Sequence, residues 1–147
     1  MVCGNGIIGK YSSYLFEKPK IVIGRVGAKC GNVHITSPKS WITDNALLVK
    51  EVPSEFDLDF LYLQLKNSNL RQFAKQSAQP VISKGTINDV ELIVPSLSKQ
   101  KDIVKSYKKF KKNLESLTSS QILMKEKILQ LKSSILNHYL DPNTYSD

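Results

Sequence analysis

The last third of the chain alternates apolar and polar positions at spacings of four and three, through Ile103, Tyr107, Phe110, Leu114, Leu117, Gln121, Met124, Ile128, Leu131, Ile135 and His138. This is the heptad seam of a coiled coil, with Tyr107, Leu114, Gln121, Ile128 and Ile135 at a and the others at d. A helix from Lys99 to Leu140 extends roughly 60 Å at about 1.5 Å per residue, longer than a small globule needs. The seam therefore requires a second helix. Gln121 in the middle either fixes the register of pairing, as polar a-position residues do, or is tolerated at a solvated seam. His138 is a heptad residue near the frayed end.

Upstream the pattern is shorter-ranged. Gly4–Lys10 predicts a glycine-punctuated turn entering a short strand, and the β-branched run Lys20–Arg25 predicts a strand. Gly27 and Gly31 bracket Ala28-Lys29-Cys30 as a hairpin-like loop, from which Asn32–Thr36 returns as the partner strand. A further strand is expected at Ala46–Glu51. From Asp57 the period becomes helical, with Leu58, Leu61, Tyr62 and Leu65 on one face and Asp57 and Asp59 at the positive end of the dipole. A short helix follows at Leu70–Lys75, then an irregular stretch Ser77–Thr86 and a last strand Val90–Val94 stopped by Pro95. Ser98 is the expected N-cap of the long helix. The fold class is α+β, a small domain with a mixed or antiparallel sheet followed by one long coiled-coil helix. The divisions fall at 1–97, 98–140 and a flexible tail, 141–147.

Charge adds direction to this plan. The net charge of +8 points to a polyanionic partner, and residues 98–140 hold ten lysines against three acids, an excess of +7. Lys105, Lys108, Lys109, Lys111 and Lys112 fall mainly at outward heptad positions, as a solvated face or as an attraction for phosphate. Arginine occurs only at Arg25 and Arg71, which favours long-range attraction over bidentate base reading. No apolar stretch approaches the roughly 18 residues of a membrane span, and the N-terminus lacks a signal-peptide layout, so a cytoplasmic location is expected.

Catalytic chemistry has little to stand on. The early glycines fit neither G-x-G-x-x-G nor a Walker A loop. Cys3 and Cys30 lack further ligands at zinc spacing, His34 alone being close, and read as reduced thiols. Neither histidine, His34 in a strand or His138 on the seam, has an orienting partner for catalysis. No metal or cofactor is implied.

Several segments together resemble the specificity subunits of type I restriction-modification systems. They are Ile21–Gly27 with Gly31-Asn32-Val33, Thr43–Ala46, Phe60-Leu61-Tyr62 with Leu65, Ala78–Ser83, and Leu92–Gln100 leading into Ile103-Val104. In the last segment Ser96 and Lys99 stand where the family usually has a second proline and an acidic residue. The resemblance implies a non-catalytic subunit. Such subunits have two target recognition domains, each followed by a long helix, and the helices pair antiparallel as a spacer. This chain then looks like one half, shortened at its N-terminus. The implied partners are double-stranded DNA, modification (methyltransferase) subunits and, through them, the restriction subunit.

A helix of this length can act as a ruler, holding two recognition modules over separate major grooves. A homodimer, or pairing with a second specificity half, would supply the missing helix. The DNA-contact candidates are Lys10, Arg25, Lys29, Asn32, Lys84 and Thr86, in or beside loops where chain can approach phosphates and base edges. Arg25 could instead brace the Gly24–Gly27 turn through backbone carbonyls. Asn45 could read adenine or hold its turn. The alternative function is a truncated fragment that pairs through its helix without reading DNA.

Overall fold

The computed structural model describes residues 2–3, 6–7, 9, 12–75 and 79–140, with the backbone alone for 2–3, 6–7 and 138–140. Lys10, much of the opening glycine turn, Ser77 and Ala78, and the tail 141–147 lie outside the described residues, as do the side chains of Cys3 and His138.

The opening segment forms an antiparallel pair, β1 (Val2–Cys3) and β2 (Gly6–Ile7), with Val2 opposite Ile7. The main sheet is built on β3 (Ile21–Gly24), flanked antiparallel by β4 (Val33–Ile35) and β5 (Ala46–Leu48) in the order β4-β3-β5. Side chains alternate faces along a strand. Ile21 and Ile23 enter a core with Cys30, Val33, Leu61, Leu65, Leu70 and Ile82. Val22 enters a smaller cluster with Ile42, covered by Phe16, Ala46 and Leu48. Burial on both faces is why this strand is a continuous apolar run rather than an alternating one.

Helix α1 (Leu58–Asn67) is capped by Asp57, whose carboxylate accepts the backbone N–H groups of Asp59 at 3.0 Å and Phe60 at 3.1 Å. It buries Phe60, Leu61 and Leu65 and packs along β4. The expected second helix is shorter than its apolar pattern suggested, a 3₁₀ turn at Leu70–Phe73 entered through Asn69 in the left-handed conformation. A further 3₁₀ turn, Gly85–Ile87, lies in the stretch expected to be irregular.

Two expectations are corrected. Val90–Val94 is no strand: Gln64 takes the place of a neighbouring chain, accepting the Ile93 N–H at 2.9 Å and donating to the Ile93 carbonyl. Val90 and Leu92 pack on the core while Ile93 stays 77% exposed, so alternation survives without a ladder. The long helix, α2 (Leu97–Leu140), is capped two residues earlier than expected, by Ser96 and not Ser98. The Ser96 hydroxyl lies 3.4 Å from the Lys99 N–H, and its carbonyl accepts from Gln100.

The chain divides into two compact units, 1–104 and 105–147, with α2 running through the division. The first two turns of α2 belong to the packed unit, where Val104 is buried and Gln100 is fully buried. The Gln100 side chain accepts the Asp57 N–H at 2.8 Å and donates to the carbonyls of Glu55 at 2.7 Å and Pro95 at 2.8 Å. One side chain thus joins the start of α2 to the cap of α1.

Candidate nucleic-acid interface

Three loops are tied together at the C-terminal end of β3. Gly24 and Gly31 close the β3–β4 turn, the Gly31 N–H donating to the Gly24 carbonyl at 2.9 Å. Arg25 joins the other two loops through its backbone. Its N–H donates to the Asn45 carbonyl at 3.0 Å and its carbonyl accepts from Ile82 at 2.8 Å, while the Gly27 N–H donates to Pro80 at 3.1 Å. Arg25, Lys29, Asn32 and Lys84 are therefore carried to one end of the domain, all exposed. Thr86 differs, because its hydroxyl accepts the Ser83 N–H at 2.9 Å and donates to the Ser83 carbonyl at 3.0 Å. It holds a turn. Asn45 is exposed in its turn. No hydrogen bond of the Arg25 guanidinium occurs among the described residues, and the carbonyl bracing considered for it is absent there.

Beside this end, residues that the sequence pattern did not bring together line a cleft of about 380 Å³. Asn32 and His34 come from the start of β4, Tyr62 and Lys66 from α1, and Asn69 and Arg71 from the turn that follows. The His34 imidazole is held below its usual pKa, first by burial and then by the positive charges of Lys66 and Lys29. Its Nε2 is buried and has no hydrogen-bond partner. Lys66 Nζ lies 3.2 Å from the Tyr62 hydroxyl and 5.5 Å from the centre of its ring. The Arg71 guanidinium donates to the Ala28 carbonyl, bracing the β3–β4 turn from below.

Gly31 makes that contact possible. Its φ is +87°, and a Cβ there would stand 2.6 Å from the Arg71 backbone nitrogen. Gly31→Ala therefore combines left-handed strain with a backbone overlap, and is expected to cost about 3 kcal/mol of stability. Urea unfolding checks this, and an unchanged midpoint would contradict it. Among the described residues no group of His, Cys, Asp and Glu could hold a metal ion, and Cys30 is a free, buried thiol.

Along α2 the expected seam is exposed: Phe110, Leu114, Leu117, Met124, Ile128, Leu131 and Ile135 each show half or more of their surface, and Ile103 and Tyr107 rather less. Ile122, Leu129 and Leu136, seven residues apart, form a second apolar row beside it, joined by Leu123. That row lies outside the a and d positions of the heptad seam, although its seven-residue spacing is visible in the sequence. In the middle of the helix Thr118, Ser119 and Ser120 return their hydroxyls to the carbonyls four residues earlier. Lys111 and Glu115 form an exposed i,i+4 pair at 3.7 Å.

A family model for the type I restriction modification DNA specificity domain matches residues 3–125. The chain belongs to this family. It is thus a specificity domain, a non-catalytic class. It is 34% identical over 115 residues to the Escherichia coli type I restriction enzyme EcoprrI specificity subunit. That match covers 78% of this chain and 28% of the relative, so the chain spans under a third of the curated protein's length. The crystal structure of a type I restriction-modification S subunit from M. genitalium superposes with a TM-score of 0.62 over 97% of this chain and 38% of that one, at 21% identity, and shows the same fold. Among the described residues no helix is long and apolar enough to cross a membrane.

The specificity-domain residues recognised in the sequence mostly build the scaffold. Gly24, Gly27 and Gly31 shape the turn, Leu61 and Leu65 fill the core, and Gln100 joins α2 to α1. Ser96, at a position where the family usually has proline, supplies the helix cap.

Proposed function

We propose that this specificity domain reads duplex DNA through the loops at the C-terminal end of β3, with Arg25, Lys29, Asn32 and Lys84 approaching phosphates and base edges. Lys10 and Thr86 complete the set named from the sequence, Thr86 by shaping the loop. The observation that carries this reading is the convergence of three separate loops, tied through the Arg25 backbone, which presents exposed basic and polar side chains together. In the proposed division residues 1–97 recognise DNA and 98–140 act as spacer. The seam pairs with a second copy or a second specificity half, and the complex forms in the cytoplasm.

The second apolar row, Ile122, Leu129 and Leu136, supports a further helical neighbour beyond the seam partner. Modification subunits fit that place, and through them the restriction subunit is directed to its target. The same row favours the alternative reading, an assembly fragment that no longer reads sequence. Selection of bound duplexes from a random pool, with and without a modification subunit, separates the two. Enrichment of a defined sequence supports recognition; a pool that stays random while the complex still assembles supports the assembly fragment.

A further inference from the structure

We propose that the cleft between β4 and α1 is a phosphodiester subsite that grips the DNA backbone beside the reading loops and takes up a proton as it does so. The proposal rests on the DNA-reading function above and adds to it His34, Lys66, Asn69 and Arg71, which are not among the DNA-contact candidates of the sequence.

Two cations from separate elements line the cleft, Lys66 on α1 and Arg71 after it, and the charge of Lys29 on the β3–β4 turn also reaches His34. Among the described residues no Asp or Glu lines it. Arg71 commits one N–H to the Ala28 carbonyl, and the guanidinium has five. The amide side chains of Asn32 and Asn69 add neutral donors. A divalent cation would be repelled here, and an apolar ligand would leave the polar lining unpaired. A phosphate oxygen accepts from all these groups.

His34 makes the site more than a patch of surface charge. Its ring lines the cleft with a buried nitrogen that no protein group satisfies. Cys30, Tyr62 and Arg71 also face the cleft, and the positive charges of Lys66 and Lys29 act on the ring. Burial and those two charges favour its neutral form in the free protein. An arriving phosphate reverses the sign of the nearest charge and favours imidazolium. The bound state then holds more protons than the free state, and affinity rises as pH falls between the two pKa values.

The test uses the whole chain, a fluorescent duplex pool with a random core, inorganic phosphate as a second probe, and NMR of the His34 ring. Lys66→Gln and Arg71→Gln are each expected to flatten the slope of log affinity against log salt by about 0.9, the loss of one phosphate contact. Lys66→Gln leaves the Arg71 hydrogen bond to the Ala28 carbonyl in place, so it remains informative if the Arg71 variant unfolds. The His34 pKa is expected to rise on adding duplex, and His34→Gln to abolish the rise in affinity at lower pH. Duplex binding with unchanged slopes and an unmoved His34 would overturn the cleft while leaving the reading loops intact. A His34 shift produced by inorganic phosphate at lower phosphate concentration than by duplex would assign the cleft to a free phosphate ligand and overturn the DNA subsite. Failure to bind any duplex would overturn both proposals.

Discussion

Gln100→Ala is expected to destabilise the packed domain by about 3 kcal/mol, because one truncation strands three backbone groups. The Asp57 N–H loses its acceptor, and the carbonyls of Glu55 and Pro95 lose their donors. Each unsatisfied buried group costs about 1–3 kcal/mol, reduced where water enters the space left behind. The loss corresponds to a fall in Tm of roughly 10–20 °C for a domain of this size. Gln100→Glu sharpens the prediction. It preserves an acceptor for Asp57 but sets a carboxylate against two carbonyl oxygens, so it should destabilise at least as much despite its similar shape. Thermal unfolding of the three proteins checks this. A Gln100→Glu variant as stable as the parent would show that the donors to Glu55 and Pro95 are unimportant.

The second large effect is expected on α2. With a paired seam, Leu117→Lys and Ile128→Lys together should raise the dissociation constant of helix pairing at least about 100-fold. Each position forfeits about 1.5–3 kcal/mol of apolar burial, and 1.4 kcal/mol is tenfold in affinity. Ser119→Lys, at an outward heptad position, is the control and should leave pairing unchanged. Sedimentation equilibrium over a range of concentrations distinguishes them. A double variant that assembles like the parent would remove the seam from the interface and shift attention to the row of Ile122, Leu129 and Leu136.

What could be read in advance follows from which residues carry local signals. β3 was legible because four consecutive buried positions give an uninterrupted β-branched and glycine-ended run, and α1 because Asp57 caps an apolar face of helical period. The long helix was legible over nearly its whole length, from its heptad period. Val90–Val94 misled because it has the composition of a strand, and whether such a segment pairs depends on what lies beside it; here that is the Gln64 amide. Ser96 and Ser98 are both good caps by residue type, and only the backbone path selects Ser96.

The proposed interface is legible in the sequence as loops rather than as a surface. Arg25, Lys29, Asn32 and Lys84 were nominated one by one, and their convergence depends on backbone bonds from Arg25 to Asn45 and Ile82. The hydroxyl of Thr86 is consumed locally by Ser83, which residue type alone does not reveal. His34, Lys66 and Arg71 stood too far apart in sequence to suggest a common cleft. Only the packing of α1 along β4 and the Gly31 contact with Arg71 bring them together.

The most direct test is the affinity ratio between a duplex selected by the protein and the same duplex with its bases scrambled, measured at fixed, near-physiological salt with the helical partner present. Phosphate attraction is equal for both, so the ratio isolates base and shape reading. A sequence-reading domain predicts a preference of about 10³ or more for the selected duplex. A ratio near one, with binding that vanishes as salt is raised, would contradict it and leave the chain as an assembly fragment.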